Sequence, residues 1–160
     1  MEKLIRLLDS NAKLSNEELA AMLGKTELEV AQDMDRLERD GILRGYRAII
    51  NWDNVGEVPY VTAFIEVKVQ PKLGIGFDEV ANRMIELPEV ESVYLMSGGF
   101  DLGIMMNGKS FQEIALFVAR RLSALDGVTS TATHFVLKKY KESGIKMENK
   151  DKDDRRHISL

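Results

Sequence analysis

The chain of 160 residues contains no cysteine. Disulfides, thiolate metal sites and cysteine nucleophiles are therefore excluded. Histidine is nearly absent too: His134 and His157 are the only two. They form no His-x-x-x-His or related spacing, so no metal site is expected. No apolar run is long enough to span a membrane. The opening MEKLIRLLDS carries acids and lacks the apolar centre of a signal peptide. A cytoplasmic protein with no membrane partner is the expectation. An excess of positive charge is also missing. The formal net charge is -4, distributed as -3 over residues 1–53, -2 over 54–140 and +1 over 141–160. No segment makes a strong electrostatic funnel for nucleic acid, which leaves room only for a local basic patch. What remains is ordinary globular composition, 44% hydrophobic and 30% charged, in a length that fits one or two small domains.

The first 53 residues carry the punctuation of three short helices. Leu4, Ile5, Leu7 and Leu8 form one apolar stripe. Ser15 and Glu18 are spaced as a capping box, opening a helix from Asn16 to about Leu23 that buries Leu19, Ala20 and Leu23 and stops at Gly24. Thr26 and Glu29 repeat the box, with Leu28, Val30, Met34 and Leu37 as the next apolar face and Gly41 as its end. Three short helices with tight joints suit a helix-turn-helix. The stretch ILRGYRAIIN, residues 42–51, is rich in branched and aromatic residues around Gly45. It predicts a small wing hairpin, with Arg44 and Arg47 aimed at a DNA backbone. A bare three-helix bundle used for protein interaction is the other reading of the same spacing.

Residues 54–59 read as a linker. From 60 to 141 the pattern is strand, helix, strand, strand, helix, strand. YVTAFIEVKV alternates, placing Val61, Ala63, Ile65, Val67 and Val69 on one face. Phe77, Val80, Ala81, Met84 and Ile85 mark a helix that ends before Pro88. VESVYLMS and FDLGIMMN are strands joined by a turn at Gly98 and Gly99. Ser110 caps a helix burying Ile114, Phe117, Val118, Leu122 and Leu125, and VTSTATHFVLKKY is the last strand. This order is the ferredoxin-like βαββαβ arrangement, so the fold class is α+β. Its second sheet face also carries apolar side chains, and pairing with a second copy would cover it. Residues 142–160 form a charged tail. A hairpin with Ile145 and Met147 facing Ile158 and Leu160 is favoured over a solvated tail.

No catalytic constellation is present: no nucleophile is paired with a base. His134 reads as a strand side chain, hydrogen-bonded or facing solvent. The one suggestive feature is the turn Gly98, Gly99 and Asp101. Glycine backbone brings N–H groups close to a small anion, and a nearby carboxylate accepts from an ammonium, a combination that suits an amino-acid zwitterion. The same residues also make a plain hairpin turn capped by Asp101.

Taken together, LSNEELAAMLGKTELEVAQDMDRLERDGILRGYRAIIN, LPEVESVYLMSGGFDLGI and LDGVTSTATHFVLKKYK resemble the Lrp/AsnC family of transcriptional regulators. The likeness runs over nearly the whole chain to about Lys141, in matching order and spacing. It implies a DNA-binding winged helix-turn-helix and a ferredoxin-like effector domain; with no catalytic constellation, no enzymatic activity and no cofactor are expected. It implies homodimers assembling to octamers or related rings. It also implies an amino-acid effector at the turn Gly98, Gly99 and Asp101, with Thr131 and Thr133 contributed by a facing strand. The expected contacts to double-stranded DNA are Thr26, Glu27, Gln32, Arg36, Arg39, Arg44 and Arg47. One departure stands out. Family members often carry bases at the centre of the third helix, whereas this chain has Gln32, Asp33 and Asp35 there. Residues 25–40 hold three bases and six acids, a poor match to phosphates. Pairing of Asp33 with Arg36 and use of Glu29 in the cap would relieve part of this, and Gln32 can pair with adenine. Each head is then expected to bind weakly and to gain affinity from assembly. The alternative is a metabolite-sensing or protein-interaction module that has lost much of its DNA binding.

Overall fold

The computed structural model describes residues 1–70 and 76–147. The chain divides into a first compact unit, Met1–Ala48, and a second that begins at Ile49.

The first unit contains α1 (Glu2–Ser10), α2 (Asn16–Leu23) and α3 (Glu27–Arg39). Both capping boxes form. The Ser15 hydroxyl accepts from Glu18 N–H while Ser15 N–H donates to Glu18 Oε2 at 2.8 Å. Thr26 and Glu29 do the same for α3, with the Thr26 hydroxyl also donating to Glu29 Oε2 at 2.8 Å. Gly24, at φ 66°, takes the left-handed conformation that ends α2. Leu4, Leu8, Leu19, Ala20, Val30 and Leu37 make a closed core, with Ile5, Leu7, Leu14, Leu23, Met34 and Leu43 packed around it.

Two expectations fail in this unit. Leu28 is not in the core but 68% exposed. Residues two apart on a helix point nearly opposite ways, so Leu28 and the buried Val30 cannot share a face. The wing hairpin does not form either, since residues 43–50 carry no strand ladder. Gly45 lacks the positive φ that a tight hairpin turn requires. The segment carries neither helix nor strand and is anchored by Leu43, with Ile42, Tyr46, Ile49 and Ile50 exposed.

The Thr26 and Glu29 contacts carry a pH signature. Both hydrogen bonds from Thr26 hold the Glu29 carboxyl below its ordinary value of 4.5. A depressed carboxyl contributes stability that is complete above the unfolded value and is lost as pH falls through the folded one. The melting temperature of the wild type should therefore fall more steeply below about pH 4.5 than that of Glu29→Gln, whose neutral amide still closes the box. Equal slopes would rule out an ionised cap. Ser15→Ala, by comparison, should cost about 1 kcal/mol at neutral pH.

In the second unit a short 3-10 turn, Trp52–Asn54, precedes the sheet. Asn51 Nδ2 donates to Met147 O at 2.6 Å, and Trp52 stacks on Tyr60 with centroids 4.5 Å apart. Residues 49–53, expected in the first unit, thus associate with the second. The strands are β1 (Val61–Val69), β2 (Val90–Leu95), β3 (Leu102–Gly108) and β4 (Val128–Phe135). They form one antiparallel sheet in the order β2-β3-β1-β4. The helices α4 (Phe77–Ile85) and α5 (Phe111–Phe117), the latter continued by a wider turn over Val118–Leu122, complete the ferredoxin-like order. Ser110 caps α5 by accepting from Glu113 N–H.

Strand alternation divides the sheet cleanly. Ala63, Ile65, Val67 and Val69 turn inward with Leu102, Ile104 and Met106, against Val80, Met84, Ile114, Phe117, Val118 and Leu122 of the helical layer. Ile85 falls outside this core at 60% exposure, one residue past the buried Met84. The last strand ends at Phe135 rather than Tyr140, although Val136 N–H still donates to Thr62 O. Beyond it, β5 (Lys141–Glu142) and β6 (Ile145–Lys146) pair across Ser143 and Gly144. The expected partners of Ile145 and Met147, namely Ile158 and Leu160, lie outside the described residues, as does His157.

Candidate DNA-reading and effector sites

The spacing of α3 decides which side chains reach outward. With Val30, Met34 and Leu37 turned to the core, residues 28, 32, 35 and 39 recur at i, i+4, i+7 and i+11 along the opposite stripe. Leu28, Gln32, Asp35 and Arg39 are all exposed. Arg36 is exposed beside them, and Glu27 stands exposed in the first turn. The Thr26 hydroxyl is occupied by the cap, so its role is to fix where the helix begins. Arg39 Nε donates to the Asp35 carbonyl at 3.3 Å, which draws the guanidinium back along the helix.

Part of the acidity of this helix is neutralised internally, though not as expected. Asp33 pairs with Lys25, not with Arg36. Lys25 lies just before the cap and folds back along the first turns, and its hydrogen bond holds the Asp33 carboxyl below its ordinary value. Glu29 is held by Thr26. Asp35 differs from both. Among the described residues, its carboxylate meets no hydrogen-bonding or ion-pair partner. Arg44 and Arg47 follow in the exposed segment after α3. Arg44 lies across Gly41, where an added Cβ would sit 3.1 Å from its Nη1.

In the second unit the turn between β2 and β3 brings Gly98, Gly99 and Asp101 together. Both glycines are exposed, Gly98 at φ 142°. Met96 N–H donates to Asp101 O at 2.8 Å and closes the turn. The Asp101 side chain does not cap its own turn. Its Oδ2 accepts from Val69 N–H at 2.7 Å, while its backbone N–H donates to Val67 O. The pairing of β1 with β4 shifts register between Lys68 and Val69. Val69 lies past the last β1–β3 pair, Val67 with Leu102, so its N–H has no strand partner on that side, and Asp101 takes it. The residues give no warning of this role, because where a ladder ends leaves no mark in residue type here.

Thr131 and Thr133 do not join that turn within one protomer. They pair in register with Val67 and Ile65, on the helix-covered face, and the Thr131 hydroxyl lies 3.3 Å from the Ser123 hydroxyl. The whole of β1 separates β4 from β3. On the opposite, open face, Phe64 meets Phe100 edge-on at 5.8 Å. Beside it, His134 Nε2 lies 3.1 Å from Glu66 Oε1. Met105 of β3 stands opposite Phe64 in the pairing, and Tyr94 is half exposed on β2. Among the described residues, no group of three or more metal-ligating side chains clusters and no helix is long and apolar enough to cross a membrane.

A capped helical head with an outward-facing reading stripe, followed by a ferredoxin-like domain with a glycine-rich turn, defines a DNA-binding regulator with a separate ligand-binding module. Comparison with known proteins makes the assignment specific. Residues 62–145 match the Lrp/AsnC ligand binding domain and residues 2–44 a winged helix-turn-helix DNA-binding domain. The chain belongs to the Lrp/AsnC family of transcriptional regulators. It is 46% identical to YugG of Bacillus subtilis, an uncharacterized HTH-type transcriptional regulator, over 98% of this chain and 95% of that one. It is 29% identical to the HTH-type regulator FL11 of Pyrococcus furiosus, over 89% of this chain and 90% of the relative. Among solved structures, the regulator NMB0573 of Neisseria meningitidis, in complex with L-Met, superposes with a TM-score of 0.70 at 26% identity. The match covers 88% of this chain and 89% of that one. The leucine response regulatory protein of Mycobacterium tuberculosis gives 0.74 at 23% identity, over 91% and 95% of the two chains, a likeness of fold. Family and fold are those of non-enzymatic DNA-binding regulators.

Proposed function

We propose that this regulator responds to an amino acid bound at the Gly98–Asp101 turn, and that the ligand shifts how dimers assemble and so how the DNA heads are presented. The observation that carries the reading is the presence, in one chain, of a DNA-binding match over residues 2–44 and an Lrp/AsnC ligand-domain match over 62–145. The amino-acid class is supported by the relative solved with L-Met and by exposed glycine backbone beside a carboxylate, a pairing that suits a zwitterion. The open sheet face with Phe64, Phe100 and Met105 supports homodimerisation, and octamers are the proposed working assembly. Thr131 and Thr133 complete a ligand site only if a second protomer presents them. Arg36, Arg39, Arg44 and Arg47 supply the backbone attraction, with Gln32 on the bases. Ligand binding moves a population between assemblies, and the coupling is reciprocal.

A second reading has a specific observation behind it. With residues 25–40 at net -3 and Asp35 outward, this is a metabolite-sensing or protein-interaction module with much reduced DNA affinity. One experiment separates the two. The purified full-length protein is titrated onto duplexes from its own upstream region at several salt concentrations, with and without each of the common amino acids, and its mass is followed by sedimentation. The proposed function expects steeply salt-dependent specific binding and at least one amino acid that changes both mass and affinity. A mass change without DNA binding favours the second reading. Monomeric protein under every condition defeats the assembly mechanism.

A further inference from the structure

The exposed stripe of α3 poses a chemical problem that general DNA affinity does not answer. A leucine 68% exposed and a carboxylate without a partner among the described residues stand where cationic side chains would help, and Asp35 repels every phosphate near it. Base edges in the major groove have complementary chemistry for each of these side chains. A thymine methyl accepts apolar contact. Adenine pairs with glutamine through N6 and N7. The cytosine N4 amine donates to a carboxylate.

We infer that Asp35 is a specificity-determining residue that reads cytosine. Its carboxylate accepts from the N4 amine, on a stripe where Gln32 takes adenine and Leu28 covers a thymine methyl. The inference rests on the proposed DNA-binding function and adds to it the bases read. Two other acids of the helix already have partners, Glu29 in the cap and Asp33 on Lys25, and Glu27, Glu38 and Asp40 fall off the stripe of residues 28, 32, 35 and 39. Asp35 is left facing outward on the same stripe as Gln32 and Arg39. Arg39, bonded to the Asp35 carbonyl, places a cation on the same stretch of helix and offsets the charge against the flanking phosphates. Residues 32 and 35 are separated by a rise of about 4.5 Å, against about 3.4 Å per base pair. The cytosine therefore lies one to two base pairs from the adenine.

The test is selection from a randomised duplex library by the assembled full-length protein, as wild type, Asp35→Ala and Asp35→Asn. The exposed position lets all three fold, which far-ultraviolet circular dichroism and sedimentation verify. The wild type should enrich a motif with adenine and, one to two positions away, cytosine. Asp35→Ala should erase the preference at the cytosine alone, by about ten-fold or more. Asp35→Asn should convert it to adenine, because an amide pairs with N6 and N7 as a carboxylate cannot. If Asp35→Ala tightens binding to all sequences equally and leaves the motif unchanged, Asp35 is only a repulsive charge and the inference is overturned. A wild-type motif with no cytosine at that spacing overturns it as well. Absence of any motif from the wild type instead removes sequence-specific DNA reading itself, and the inference with it.

Discussion

Arg44→Ala combined with Arg47→Ala should weaken DNA binding by roughly 30-fold per head near physiological salt, because each phosphate no longer neutralised keeps about one counterion that binding would release. The loss should be nearly uniform across sequences. The slope of log K against log salt should become shallower by about 2 per head. The physical basis is the shortage of other cations. Of the bases between residues 25 and 40, Lys25 is committed to Asp33, and Arg39 is drawn back onto the Asp35 carbonyl. Arg36 stays outward on the exposed side of the helix. On the proposed reading, Arg44 and Arg47, both exposed in residues 43–50, supply most of the backbone attraction, although that segment forms no hairpin. Because several heads act together, the assembled protein should lose more than a single head does. Salt titrations by fluorescence anisotropy would read both quantities. An unchanged slope would place the phosphate contacts elsewhere on the head.

Asp101→Asn should lower affinity for the proposed amino-acid ligand by about ten-fold or more while leaving the fold intact, whereas Asp101→Ala should damage both. The difference follows from the two demands on one carboxylate. Its Oδ2 accepts from Val69 N–H where the β1–β4 pairing shifts register. An amide oxygen can keep that hydrogen bond. It carries no charge, however, and a hydrogen bond to an ionised group is worth about 1.5–3 kcal/mol against about 1 for a neutral pair. Alanine offers no acceptor at all, and stranding a part-buried backbone donor costs about 1–3 kcal/mol. Calorimetric titration with the responsive amino acid, beside thermal melts of all three proteins, would separate the effects. Should Asp101→Asn bind ligand as well as the wild type, the turn is a structural joint and the effector binds elsewhere.

The structural features behind these predictions differ in how far the residues foretell them. Caps were readable because they depend on contacts three residues apart: Ser15 with Glu18, Thr26 with Glu29 and Ser110 with Glu113 are local events. Strand faces were readable because alternation along β1 names its buried side directly. Family membership was readable because order and spacing of several motifs are themselves sequence properties. Three other features were not. The Lys25 partner of Asp33 lies eight positions away, beyond the i+3 and i+4 neighbours that helix arithmetic considers. The wing failed because branched residues favour extended backbone without supplying a strand to pair with. The turn at Asp101 was found, but its bond to Val69 crosses 32 residues.

The residues alone determined the two-part architecture, the helix ends, the inward face of the sheet and the net acidity of the reading helix. Each depends on composition or on separations of a few positions. The tertiary structure decided which acids remain unpaired, that Leu28 and Asp35 share an outward stripe, and that Asp101 is tied to β1 while Thr131 and Thr133 face the helices. Those outcomes depend on which distant segments pack together, because a carboxylate's role is set by the donor that reaches it.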